Sequence, residues 1–171
     1  ASMMAKGLSQ NISVISMIVV SKVGGALFDA LAVALPLNTT LRELSFGVDP
    51  SDDDPSAHID WSPIFLALGR NTGLKSLKVD VHCSREESLC TAMQNGLGTN
   101  TTLEHLELKP ARLRSDLWCR TFSFLRTNKA LKSLVVYVHQ GIKARLLSAF
   151  RKDIVSILEE NASLESLSIQ K

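Results

Sequence analysis

The sequence predicts an α/β fold built from stacked β/α units, with a parallel sheet of about six strands on one face and helices on the other. One observation behind this prediction is a nine-residue pattern, Asn-x-x-apolar-x-x-apolar-x-apolar, which occurs six times in the 171 residues. A second is that the apolar period changes from helical to strand-like across each Asn. The pattern starts at Asn11, Asn38, Asn71, Asn100, Asn128 and Asn161, at intervals of 27, 33, 29, 28 and 33 residues.

The segment before each Asn is predicted to be a helix. Leucine stands three positions before the Asn in all six units, and the residue four positions earlier is apolar in five of them. Residues four apart share one face of a helix, so this face is expected to be buried. Helix starts are indicated by Ser62 before Pro63, by the capping-box pattern from Ser84 to Glu87, and by Ser115 before Asp116.

The Asn itself is predicted to form the turn between helix and strand. It falls just past the last helical turn, where the left-handed conformation is common and Asn tolerates it better than most residues. Its side chain is also able to hydrogen-bond nearby backbone groups and so fix the turn.

The segment after each Asn is predicted to be a strand buried on one face. Counted from the first apolar residue of the pattern, apolar residues follow at +3, +5 and often +7, which is the period of a half-buried strand. The apolar stretch from Ile12 to Leu37 divides in the same way into a strand and a helix, and Lys22, Gly24, Gly25 and Asp29 interrupt it. We therefore predict a soluble chain with no membrane helix.

The pieces ALPLNTTLRELSF, ALGRNTGLKSLKV and GLGTNTTLEHLEL resemble leucine-rich repeats of the ribonuclease-inhibitor-like class. The resemblance implies a right-handed horseshoe with the sheet on its concave face and the helices on its convex face. It implies one domain of about six repeats over residues 1–171. The sequence departs from the class directly after the strands, where the class often has an Asn. Pairs such as Val48-Asp49 and Val81-His82 stand there instead, and they predict strands that are longer than is usual for the class.

The ends of the chain show no polar capping unit, which stacked repeats generally need for solubility. We therefore expect this sequence to be a fragment of a longer protein, or its ends to be covered by self-association.

Composition argues against several classes of function. A net charge of +2, with 21% charged residues, is too small to indicate binding to nucleic acid or to a membrane. The three cysteines, Cys83, Cys90 and Cys119, form no disulfide framework, since one must remain unpaired. Their number fits a reducing compartment, and a cytoplasmic location is predicted.

The sequence also predicts no metal, cofactor or catalytic site. His82 and His139 occupy equivalent places in units two apart, so their backbones are expected to lie about 10 Å apart, too far to share one zinc ion. Gly24-Gly25 lacks the rest of a phosphate-binding loop, and Cys90 and Cys119 are expected to be packed within helices.

The predicted function is that of a non-catalytic protein–protein interaction module. Its predicted binding surface comprises the alternate strand positions of the concave face, together with edge loops at the insertions Asp49–His58 and His139–Ser148. The resemblance implies a sensing arm of an intracellular immune receptor; the alternatives are a substrate-recruiting arm of a ubiquitin ligase or a self-assembling structural scaffold. The predicted partner-binding residues are Glu43, Ser76, Lys78, Asp80, His105, Glu107, Lys109, Val135 and Tyr137.

Overall fold

A computed structural model describes residues 2–21, 25–48, 60–82, 86–111, 120, 122–137 and 154–170. Several features named in the sequence analysis lie outside the described residues. They are the insertions at 49–58 and 139–148, the predicted helix caps at Ser84 and Ser115, and the thiols of Cys83 and Cys119. Of the helices in the described ranges, none is long and apolar enough to cross a membrane.

Helices and strands alternate along the chain, as the change of period predicts. In addition to the elements given in the next sentence, residues 154–160 form a helix. The elements in chain order are α1 Ser2–Gln10, β1 Ser16–Ser21, α2 Gly25–Ala34, β2 Glu43–Val48, α3 Ser62–Arg70, β3 Ser76–His82, α4 Glu86–Leu97, β4 His105–Ala111, a 3-10 turn Ser123–Arg126, β5 Ser133–Tyr137 and β6 Ser166–Gln170.

The six strands form one parallel sheet in chain order, β1-β2-β3-β4-β5-β6. Equivalent positions of the repeated pattern pair with one another: Glu43 is opposite Ser76, Ser76 is opposite His105, and His105 is opposite Ser133. This register places each sequence column in one straight row across the sheet. The predicted α/β class with a six-stranded parallel sheet is confirmed.

One face of the sheet is covered by the helices and forms the core. The inward residues of the four central strands are 0–3% exposed, and they join the helix leucines in a single apolar cluster. These inward residues are Leu44, Phe46, Leu77, Val79, Leu106, Leu108, Leu134 and Val136. We call the opposite face, which carries the intervening side chains, the open face.

The repeated Asn residues form a buried column that links each unit to the one before it. Five of them, from Asn38 to Asn161, are only 2–8% exposed. Asn100 is typical: its Oδ1 accepts hydrogen bonds from the N–H groups of Thr102 and Leu103, at 2.9 and 2.7 Å. Its Nδ2 donates to the carbonyls of Leu68 and Asn71 in the preceding unit, at 2.5 and 3.3 Å. The column therefore fixes the turn and the spacing between units together.

The prediction of a left-handed Asn is wrong at Asn71, where φ is −74° and ψ is 134°. The side chain explains this extended conformation, because Oδ1 accepts hydrogen bonds from the N–H groups of Gly73 and Leu74 ahead of it. That arrangement is the side-chain turn expected of Asn, and no positive φ is needed to make it.

The start of α3 also differs from the prediction. Ser62 is the first helical residue rather than the cap, and Trp61 occupies the cap position without a side-chain hydrogen bond. Asp60 supplies the missing acceptor, since its Oδ1 receives the Ser62 N–H at 2.9 Å. Pro63 lies in the first turn as predicted.

Helices α3 and α4 approach each other at a glycine. A Cβ atom built on Gly96 would overlap the carbonyl of Phe65, and Phe65 itself is fully buried. Gly96 therefore lets two helix backbones pack closer than any other residue type would allow.

Candidate functional site

The open face carries the side chains that the sequence analysis selects for binding. Strand β5 shows the alternation directly, with Leu134 and Val136 buried and Ser133, Val135 and Tyr137 half-buried. All nine predicted binding residues lie on strands at such positions: Glu43 on β2; Ser76, Lys78 and Asp80 on β3; His105, Glu107 and Lys109 on β4; and Val135 and Tyr137 on β5. Whether they bind a partner stays a prediction.

Four of these residues form one contiguous group, which we call the open-face cluster: Lys78, Glu107, Lys109 and Tyr137. The Lys78 Nζ lies 2.7 Å from Glu107 Oε1, and the Lys109 Nζ lies 3.8 Å from the same oxygen. The Lys109 Nζ also lies 4.7 Å from the centre of the Tyr137 ring, a cation–π distance. The cluster joins β3, β4 and β5 into one polar surface.

The pairing with Glu107 changes the acidity of Lys78. A hydrogen bond to the Glu107 carboxylate raises the pKa of the Lys78 ammonium above 10.5, against a smaller opposing effect of desolvation. The side chain of Lys78 is 44% exposed and that of Glu107 is 26% exposed. The cluster thus holds partly exposed charges in a defined geometry.

A depression of about 460 Å³ runs along the open face, and Lys78 and Glu107 of the cluster are among its lining residues. It crosses five strands, from Ser16 on β1 to Val135 on β5. Glu43, Ser76 and His105 line its central part, where their strands pair in register. Residues from five units therefore meet in one surface, although they are far apart in sequence.

A second ionic group lies just before the strands begin, and none of its residues is among the predicted binding residues. The Glu104 carboxylate lies between two lysines, with Oε1 2.6 Å from Lys75 Nζ and Oε2 3.2 Å from Lys132 Nζ. These residues occupy position +1 of their units. The signal that could have found them is the sign alternation over the last four members of this column, Lys75, Glu104, Lys132 and Glu165, which follow Ile15 and Arg42.

Within the described residues, no group of three or more His, Cys, Asp or Glu side chains could hold a metal ion. His105 is exposed on the open face, whereas Cys90 is buried within α4.

The pKa of Glu104 gives a direct test of the second group. Hydrogen bonds from Lys75 and then Lys132 lower the pKa of this carboxyl below its ordinary 4.5. Because the folded-state pKa is depressed, the stabilisation is present above the ordinary pKa and is lost as the pH falls through the folded value. An NMR titration should therefore place the Glu104 midpoint below 4.5. In the double variant Lys75→Met/Lys132→Met the midpoint should rise towards that value; equal midpoints in the two proteins would contradict the pairing.

No protein-family model matches the sequence, and no curated protein matches it. Solved structures do resemble the fold. The structure of leiomodin-1 actin-binding site 2 aligns with 93% of this chain and 87% of its own, with a TM-score of 0.64 and 18% identity. A tropomodulin C-terminal domain from structural genomics of Caenorhabditis elegans aligns with 92% and 93%, with a TM-score of 0.60 and 11% identity. At these identities the shared feature is the fold.

These likenesses correct the assignment to the leucine-rich-repeat, ribonuclease-inhibitor-like class. The two structures named above are a leiomodin and a tropomodulin domain, so neither the horseshoe of that class nor its receptor and ubiquitin-ligase roles are retained. The physical reason lies in the repeated pattern, which specifies an Asn turn followed by a parallel strand buried on one face. That local geometry serves any stack of β/α units and does not identify a family.

Proposed function

We propose that this chain is a non-enzymatic protein-binding domain, that the open face is its binding surface, and that actin is its partner. The observation that carries the proposal is the fold shared over 93% of the chain with the actin-binding site 2 of leiomodin-1. An actin partner would also mean that the domain works in the cytoplasm.

The open-face cluster supports a binding role because its side chains are already oriented. Lys78 and Lys109 share the Glu107 carboxylate, and Lys109 also contacts the Tyr137 ring. Side chains held by such contacts lose less conformational freedom when a partner docks. Tyr is also enriched among the residues that dominate binding energy at protein interfaces, and here Tyr137 stands beside the Lys109 ammonium.

Charge on this face supports recognition of a polar protein surface rather than a small apolar ligand. Lys78 of β3 pairs with Glu107 of β4, the signs alternate again in the Lys75–Glu104–Lys132 group just before the strands, and the depression is open rather than enclosed. Surfaces of mixed sign give specificity by matching opposite charges on the partner.

Co-sedimentation with filamentous actin and pull-down of monomeric actin test the proposal. The wild-type chain should bind one of these forms, and Lys78→Ala/Tyr137→Ala should weaken binding about tenfold or more, as expected when an interface loses residues of this kind. Both side chains are partly exposed, so the melting temperature should change little.

Arg70→Ala is the matched control, because it removes an exposed cation from the last turn of α3 rather than from a strand. It should bind like the wild type. Failure of the wild-type chain to bind either form would remove actin as the partner. Binding by the double variant equal to wild type would instead reject the open face as the surface.

A further inference from the structure

Glu43 carries an unpaired carboxylate in the depression of the open face. Two other charged residues that line the depression, Lys78 and Glu107, are 2.7 Å apart and offset each other's charge. Within the described residues, no ion pair or hydrogen bond joins the Glu43 carboxylate to a partner, and the residue is exposed. Arg42 is adjacent in sequence, but its Nη1 donates to the Gly73 carbonyl at 2.6 Å. The depression therefore holds a negative charge that the described structure leaves uncompensated.

The backbone fixes the place of this carboxylate. Glu43 is the first residue of β2, and its N–H donates to the Ile15 carbonyl of the preceding unit at 3.0 Å. The next residue, Leu44, is 2% exposed in the core. Successive side chains of a strand point to opposite faces, so Glu43 is held on the open face in the lining of the depression.

Serines flank Glu43 on both sides. The register places Ser16 of β1 and Ser76 of β3 directly opposite Glu43, and all three residues line the depression. Neighbouring strands are about 4.8 Å apart, and serine side chains are short, so space remains around the carboxylate. Each hydroxyl offers acceptor lone pairs. The carboxylate and the two hydroxyls therefore form a row of acceptors across three strands.

This row of acceptors fits a guanidinium group. The planar fork of arginine pairs with a carboxylate through parallel hydrogen bonds and has further N–H donors for groups on either side. The aliphatic part of an arginine side chain also finds an apolar contact at Ile18, which lines the depression on β1 two residues after Ser16. A lysine ammonium is a compact point charge and matches this planar arrangement less well.

No described cation is placed to occupy this row. His105 is the remaining titratable residue in the lining, and Ser76 stands between it and Glu43 in the paired strands. Two strand spacings separate the two backbones by about 10 Å. The ammonium of Lys78 lies against Glu107 instead.

We propose that Glu43, flanked by Ser16 and Ser76, receives an arginine side chain of the protein that binds the open face. The inference rests on the proposed function, since it takes the open face as the binding surface, and it adds the chemistry that the partner presents there. A partner that covered Glu43 without a cation would leave a carboxylate buried and unpaired, which is costly. Glu43 thus selects against such partners.

A short arginine peptide tests the site without actin. Acetyl-Ala-Arg-Ala-amide, titrated into the isotope-labelled chain, should shift the NMR signals of Glu43, Ser16 and Ser76 saturably, with a Kd on the order of 1 mM. The same peptide with citrulline in place of arginine keeps the shape and loses the charge, so it should leave these signals unshifted. The arginine peptide should also have no effect on the site in Glu43→Gln.

Glu159→Gln is the matched control, because it removes an exposed carboxylate from the helix at 154–160 rather than from the open face. It should respond to the arginine peptide like the wild type. Glu43 and Glu159 are both exposed, so neither substitution should change the melting temperature much, and circular dichroism confirms that each variant folds.

Actin binding gives a second readout. In the co-sedimentation and pull-down assays, Glu43→Gln should weaken binding about tenfold, as expected for the loss of a hydrogen bond to a charged group. Glu159→Gln should bind actin like the wild type.

Equal responses of Glu43 and Ser76 to the arginine and citrulline peptides, or a response to neither, would overturn the proposal. Actin binding by Glu43→Gln equal to that of a wild type that binds actin would overturn it as well. A wild-type chain that binds neither form of actin removes the proposed partner, and the peptide titration then still decides whether Glu43 binds arginine. The failure of this inference is therefore distinguishable from the failure of the proposed function.

Discussion

Replacement of Asn100 with alanine is expected to lower the free energy of unfolding by about 3–5 kcal/mol, near the upper limit for a single substitution. The side chain is 2% exposed and serves four buried or half-buried backbone groups. Its loss leaves the N–H groups of Thr102 and Leu103 without an acceptor, and it removes the donor to the Leu68 and Asn71 carbonyls. Urea denaturation of the variant and the wild type measures the difference.

Asn11→Ala is the matched control for this prediction. Asn11 makes the same turn, accepting from the N–H groups of Ser13 and Val14, but it is half-buried and its Nδ2 bonds no earlier unit in the described structure. Its replacement should cost about 1 kcal/mol, the typical value for a lost hydrogen bond. Equal losses at Asn11 and Asn100 would show that the bonds between units contribute nothing beyond the local turn.

Gly96→Ala is expected to destabilise the fold by about 3 kcal/mol, although alanine is the better helix former. The new methyl group would overlap the Phe65 carbonyl, which is backbone and has no other rotamer to adopt. Helices α3 and α4 would have to move apart, and Phe65 and Leu68 would lose contacts in the core that both now join. The free energy of unfolding from urea denaturation again measures the effect.

Gly7→Ala is the matched control because it makes the same substitution within a helix. Nothing lies within 4 Å of a Cβ atom built on Gly7, and the residue is exposed in α1. The variant should be more stable than the wild type by up to about 1 kcal/mol. A Gly96→Ala protein as stable as the wild type would mean that α3 and α4 are not in close contact there.

The alternation of helices and strands could be predicted because its signal is local and repeated six times. The same spacing that predicts the strand after Asn128 also predicts Leu134 and Val136 as inward residues, and both are fully buried. The register could be anticipated as well, because units of one design stack with equivalent residues side by side. Lys78, Glu107 and Tyr137 could therefore be assigned to one face without knowledge of their distances.

Other features could not be predicted because they depend on groups distant in sequence. The amide donors of the Asn column meet carbonyls about thirty residues earlier, as Asn71 does with Leu35, and no pattern around Asn71 specifies that partner. The acceptor for the Ser62 N–H is Asp60, outside the expected cap position. The family assignment was wrong because the repeated pattern encodes a turn and a strand, which different families share.

The ionic pairs of the open face lie between these two cases. Glu107 and Lys109 alternate along β4, and Lys78 stands opposite Glu107 once the register is known. The 2.7 Å distance between the Lys78 Nζ and the Glu107 Oε1 follows from this register and from the lengths of the two side chains. The Lys75–Glu104–Lys132 group follows from the same reasoning applied to the column just before the strands.

Titration of the isotope-labelled chain with monomeric actin, followed by NMR, tests the central claim most directly. The proposed function predicts that signals of Lys78, Glu107 and Tyr137 shift or broaden as actin is added, while signals of α2 and α3 on the covered side do not. Perturbations confined to the helices would contradict it, as would a spectrum that monomeric actin leaves unchanged in a chain that also fails to co-sediment with filamentous actin.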